Sequence, residues 1–124
     1  MSDDAAAIIA ARLNELWRTN RPIILERMTI LHAALKTLTR NPGDIEARST
    51  GREAAHKLAG ILGVFGLPQG SELASEIEDR LIDRRIGQEA AQASAHTALN
   101  SEDLATLRSQ IAELDAIIAS KPAH

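Results

Sequence analysis

The sequence predicts an all-α fold: an up-down antiparallel four-helix bundle with an additional N-terminal helix packed at one end. Three observations predict it. The apolar 44% of the chain is mostly Ala, Leu and Ile, while aromatics make up 2%, with no Tyr, one Phe and one Trp. Sheets favour aromatic and β-branched residues, whereas Ala and Leu are strong helix formers. The apolar residues recur every third or fourth position, the period of a helix with one buried side. Pro, Gly, Asn and Asp fall between those periodic runs, where helices start and stop. At 124 residues the chain is long enough to bury one core and too short for two. Residues 1–124 are therefore read as a single domain, with the bundle core at about 22–119.

The first helix is expected over about 3–18, with Ser2 as N-cap and acidic residues in its first turn. Ile9, Leu13, Leu16 and Trp17 share one side of it, and Trp17 reads as a plug over the bundle end. Thr19-Asn20-Arg21-Pro22 breaks the pattern, and Pro22 suits the first turn of a second helix. That helix, about 22–40, carries Ile24, Met28, Leu31, Leu35 and Leu38 as a bundle stripe. Asn41-Pro42-Gly43-Asp44 makes a turn in which Asp44 is placed to cap the third helix, about 45–65. Gly66 suits the C′ position of that helix, and Pro68 prevents its continuation. A fourth helix from Gln69 or Ser71 to Arg85 buries Leu73, Ile77 and Leu81, with Ser71 reading as a cap. Residues 87–100 are Ala-rich and weakly patterned, a loop or frayed extension. Asn100 or Ser101 then caps a fifth helix carrying Leu104, Leu107, Ile111, Leu114 and Ile118, and 121–124 form a tail.

Charge and composition exclude several function classes. The net charge is −3, no basic stripe exists and stacking aromatics are scarce, so nucleic acid is not an expected partner. No run approaches the roughly 20 apolar residues that span a bilayer, and the acidic start does not resemble a secretory signal. A cytoplasmic location without membrane insertion is expected. Cysteine is absent, which removes disulfides and thiolate chemistry. His32, His96 and His124 have no companion pattern of metal ligands, so no metal site is expected. Glu72, Glu76 and Asp79 sit among Arg80, Arg84 and Arg85 and read as a solvated charged face. No Gly-rich phosphate loop suggests ATP binding or kinase activity.

His56 is the residue with chemistry to offer. At about 100° per residue, Ala55, Leu58, Ile61, Leu62 and Phe65 form one apolar arc, and His56 faces away from it, mid-helix and toward solvent. A lone exposed histidine is by itself usually just solvated. Here Ala59, Gly60 and Gly63 follow it on the same side, and a glycine inside a helix costs about 1 kcal/mol relative to alanine. Small residues around an imidazole let another protein's surface approach its ring nitrogen. Ser49 and Arg52 precede it on that side and Lys57 flanks it, so Arg52 and Lys57 are candidates to hold a phosphoryl group. A neutral imidazole, with one ring lone pair at cytosolic pH, is a suitable nucleophile toward phosphorus.

The run Ala55-His56-Lys57-Leu58-Ala59-Gly60-Ile61-Leu62-Gly63-Val64-Phe65-Gly66 resembles the signature of histidine-containing phosphotransfer (HPt) domains. His56, Leu58, Gly60 and Gly66 match it, and the following run Leu67-Pro68-Gln69-Gly70-Ser71-Glu72-Leu73-Ala74 also looks like the family's. Two positions depart from the pattern: Ala59 stands where the family usually has a lysine that contacts the phosphoryl group, and Ile61 where it has a small residue. The resemblance implies a phosphoryl carrier, not an enzyme, that accepts the group from a receiver-domain aspartate onto His56 and passes it to another receiver aspartate. It implies response-regulator receiver domains and a hybrid sensor kinase as partners, with Mg²⁺ supplied by the receiver and no cofactor bound by this chain. Docking is expected on the exposed side of the third helix, over Ser49, Ala59, Gly60 and Gly63, together with the second helix. The alternative is a receiver- or helix-binding module that has lost phosphotransfer, which Ala59 and Ile61 favour. A monomer is expected, with dimerisation through the first helix as a further reading.

Overall fold

The computed structural model describes the backbone of residues 2–82 and 98–121, with side chains from residue 4 onward. Its elements are four helices: α1 (Ser2–Arg40), α2 (Ile45–Val64), α3 (Pro68–Leu81) and α4 (Ser101–Ala119). No strand occurs among the described residues. The helices touch in a ring, α1 on α2, α2 on α3, α3 on α4 and α4 on α1. Inside the ring lie Ile24, Met28, Leu31 and Leu38 of α1, Leu58 and Leu62 of α2, Ile77 and Leu81 of α3, and Leu107, Ile111, Leu114 and Ile118 of α4. None of the described helices is long and apolar enough to cross a membrane.

The expected break at residues 19–22 is not there. The first and second predicted helices are one helix of 39 residues with Pro22 inside it. Proline removes the N–H that the Arg18 carbonyl would accept and crowds that carbonyl, at a cost of about 3 kcal/mol. Packing on both sides outweighs it: Trp17 before the proline and Ile24 and Met28 after it are all buried on the same face. Thr19 Oγ1 and the Asn20 side-chain amide also donate to the carbonyls of Glu15 and Leu16, at 2.9 and 2.8 Å. The N-terminal part of α1 is therefore not a separate helix folded over the bundle. It runs on past the bundle end, and every residue from Asp4 to Leu16 is exposed.

Trp17 closes that end. It is 1% exposed, its ring meets Phe65 edge-on at 5.4 Å, and Lys121 Nζ lies 5.5 Å from its centroid. Such edge-to-face and cation–π contacts suit an aromatic ring at a bundle mouth.

Local signals set most of the other boundaries. The Asp44 carboxylate accepts from Ala47 N at 2.8 Å, satisfying an orphan N–H of α2. Gly66 adopts φ 72°, the left-handed geometry that ends α2. Asn100 and Asp103 form a reciprocal capping box on α4. Pro68, expected only to stop α2, also opens α3 one residue earlier than expected, and Leu67 rather than Ser71 is its N-cap residue. α3 ends at Leu81, short of the expected Arg85. Ser2 is the first residue of α1, and its side chain, like Arg84, Arg85, His96, His124 and the Ala-rich stretch up to residue 97, lies outside what the structure describes.

Candidate functional site

Helix α2 carries His56 out from the core because its neighbours Ala55 and Leu58 are fully buried on the opposite face. The His56 side chain is 71% exposed. Its Nδ1 lies 3.0 Å from Oε2 of Glu78 on α3, a carboxylate only 19% exposed. A carboxylate can only accept, so the ring's Nδ1 is the protonated nitrogen that donates to it. In the neutral ring the lone pair is then on Nε2, which belongs to the ring edge that Glu78 does not occupy.

Arg52, one turn before His56 on α2, brings its guanidinium to 4.0 Å from the same Glu78 oxygen. Lys57 turns the other way, with Nζ 3.0 Å from Glu53 Oε1 along its own helix. The Lys57 ammonium hydrogen-bonds the Glu53 carboxyl and holds it below the usual carboxylate range, with Arg27 and Arg52 adding to the effect. The structure thus joins Arg52 to His56 through Glu78 and leaves Lys57 engaged elsewhere.

The small residues divide between two roles. A Cβ on Gly60 would meet nothing within 4 Å, so the surface one turn after His56 is open. A Cβ on Gly63 would lie 3.4 Å from Ser71 Oγ, which places Gly63 on the α2–α3 seam. Ala59 is half-buried against the core and its carbonyl accepts from Ser71 Oγ at 2.6 Å. Ser71 was expected to cap a helix; it instead fastens the first turn of α3 to α2. Ser49 is exposed two turns before His56.

Glu78 and Arg48 are the site residues that sequence reasoning missed. Arg48 donates from Nε to the Leu81 carbonyl at 3.0 Å and from its guanidinium to the Ile82 carbonyl at 3.2 Å. It satisfies carbonyls that the end of α3 leaves without N–H partners. Three contacts fix the register of the two helices: Ser71 on Ala59, Glu78 beside Arg52 and His56, and the Leu81–Ile82 carbonyls on Arg48. They advance along α3 as they recede along α2, so Glu78 is pinned between a clamp at each end. Elsewhere, His32 Nε2 lies 2.7 Å from Asp115 Oδ2, linking α1 to α4. Arg80 reaches Asp103 at 3.3 Å. Among the described residues no group of three or more His, Cys, Asp or Glu is placed to hold a metal ion.

Comparison with known proteins gives a consistent picture. The sequence profile of the Hpt domain matches residues 21–117. Protein RcaC of Microchaete diplosiphon is 37% identical over 68 residues, a stretch covering 55% of this chain and 10% of that protein. The chain thus corresponds to about a tenth of the length of this curated relative. No solved structure matches it.

Proposed function

The chain belongs to the Hpt domain family, and from that premise we propose that His56 is the phosphoryl-carrying residue of a receiver-to-receiver relay. Hpt domains carry phosphoryl groups in two-component phosphorelays as carriers rather than enzymes, and they interact with receiver domains and kinases. The observation that carries the assignment is the His56–Glu78 pair: an exposed imidazole whose Nδ1 is engaged at 3.0 Å by a fixed carboxylate.

The Nε2 lone pair attacks the phosphorus of a receiver's aspartyl phosphate. The N–P bond forms as the P–O bond to the aspartate breaks, and the bonding electrons leave with its carboxylate. His56 keeps its Nδ1 proton, so the phosphorylated ring is cationic and faces the Glu78 carboxylate, which stabilises that charge. In the second transfer an aspartate oxygen of another receiver attacks the phosphorus, and the N–P electrons return to Nε2. Mg²⁺ held by the receiver would offset phosphoryl charge. Arg52, one turn before His56 on its exposed side, takes the part that the family's lysine plays where this chain has Ala59, its guanidinium turning from the Glu78 oxygen 4.0 Å away to the phosphoryl oxygens. Glu78 is a positioning residue that fixes the tautomer, and the exposed surface from Ser49 to Gly60 receives the partner. The ring of helix contacts and the α2–α3 register support an up-down antiparallel bundle as the scaffold.

Incubation with a phosphorylated receiver tests the reading. Wild type is expected to acquire an acid-labile label that His56→Gln does not. Binding of receivers without any labelling would overturn it in favour of a docking module.

A further inference from the structure

We propose that Glu53 sets the phosphoryl-transfer potential of His56, by standing as a like charge beside the group and by holding Lys57 away from it. The inference rests on His56 as the phosphoryl carrier and concerns the energy of its phosphorylated state. Glu53 lies three residues before His56 on the exposed side of α2, a spacing that brings side chains within about 5–6 Å. At about 100° per residue, Arg52 falls on the side of His56 that faces Glu78, and Glu53 on the other side. Glu78 takes the ring's Nδ1, so a phosphoryl group on Nε2 is carried by the edge that Glu78 leaves open.

The two cations that flank His56 on α2 each already face a carboxylate. Lys57 Nζ lies 3.0 Å from Glu53 Oε1, with the glutamate four residues before the lysine, the order that suits a helix. Arg52 lies 4.0 Å from Glu78 Oε2 and must leave it to reach the phosphoryl oxygens. The hydrogen bond and charge of Lys57, aided by Arg27 and Arg52, hold the Glu53 carboxyl below the usual range, so it is an anion at neutral pH. Two cations against two carboxylates leave the patch neutral, and a phosphoryl group of nearly two negative charges meets no net positive charge there. Phospho-His56 is thereby kept as a point of transit. Neutralising Glu53 makes the patch positive and releases Lys57, whose flexible stem carries its ammonium to the phosphoryl oxygens.

The equilibrium ratio of label on His56 to label on a receiver aspartate reads this directly, because an equilibrium constant does not depend on how the two proteins dock. Transfer forms the N–P bond as the P–O bond to the aspartate breaks, with the electron pair left on the carboxylate, and the reverse step restores both. Glu53→Gln is expected to raise the ratio about threefold at about 50 mM salt, from a like-charge contact at this spacing with a nearly divalent group. The Glu53 side chain is 64% exposed, so most of the gain should vanish at about 1 M salt. Glu53→Asp keeps the anion and should stay closer to wild type than to Glu53→Gln. Glu53→Gln/Lys57→Gln leaves the patch neutral again and should return close to wild type. An unchanged ratio in Glu53→Gln overturns the proposal and leaves His56 as the carrier, as does a gain undiminished by salt or kept in full by Glu53→Asp or by the double variant. A wild type that takes no label overturns the carrier reading, and the proposal with it.

Discussion

Replacing Gly60 with alanine separates stability from transfer in a way that tests the site directly. Gly60 lies inside α2, one turn after His56, and a Cβ there meets nothing within 4 Å. No packing cost opposes the substitution, so the whole helix-propensity difference, about 1 kcal/mol, appears as added stability. For a domain of this size that corresponds to roughly 3–5 °C in Tm. The added methyl stands about 5–6 Å from the His56 Cβ on the same side of the helix. A receiver that closes on Nε2 must accommodate it, and phosphotransfer is expected to slow. Urea denaturation followed by circular dichroism gives the first quantity, and label transfer from a phosphorylated receiver gives the second. Unchanged or lowered stability would mean that the helix surface is not open there. Raised stability with an unchanged transfer rate would mean that Gly60 is not kept for access, and the argument from small residues would fail.

Two further substitutions probe the carboxylates around the site. Glu78→Gln keeps an acceptor for the His56 Nδ1–H but removes the charge. A hydrogen bond to a charged group contributes about 1.5–3 kcal/mol, and the exposure of His56 brings this to about 1 kcal/mol, or roughly fivefold in transfer rate. Stopped transfer time courses with the folded variant measure it, and a rate within twofold of wild type would remove Glu78 from the mechanism. Lys57→Ala should return the Glu53 carboxyl, held low chiefly by its hydrogen bond to Lys57, toward the usual range in a carboxylate NMR titration. A group whose folded pKa is depressed contributes stability above its unfolded pKa and loses it as pH falls through the folded value. The Glu53–Lys57 pair therefore weakens only on the acid side of the ordinary glutamate range. An unchanged Glu53 titration in Lys57→Ala would assign the shift to Arg27 and Arg52 instead.

Helix ends written in local chemistry were legible in the sequence. Asp44 and Asn100 cap because their side chains reach N–H groups three residues on, and Gly66 turns because it tolerates positive φ; neither depends on the rest of the fold. Pro22 shows the opposite case. Its local signal is a helix start, and the signal loses because Trp17 and Ile24, on either side of it, are buried on one face. The periodicity carried that information all along, since Leu13, Trp17, Ile24 and Met28 lie on one continuous stripe. A stripe that keeps its phase across a proline argues for one helix with a strained joint rather than for two helices.

The site divides in the same way. His56 was visible because exposure and small neighbours are properties of one helix. Glu78 was hidden because its closeness to His56 is a property of two helices and their register. Within α3 it stands among Glu76, Asp79 and Arg80 and looks like any solvated charge. The register gives it away only in hindsight: Ser71 and Glu78 are two turns apart on α3, and Ala59 and Arg52 are two turns apart on α2, so fastening the first pair brings the second together. It follows that Ser71 and Arg48, which bond the Ala59, Leu81 and Ile82 carbonyls across the two helices, set the His56–Glu78 distance. Loosening either clamp should therefore weaken phosphotransfer through Glu78, and should have no further effect where Glu78 has already been replaced.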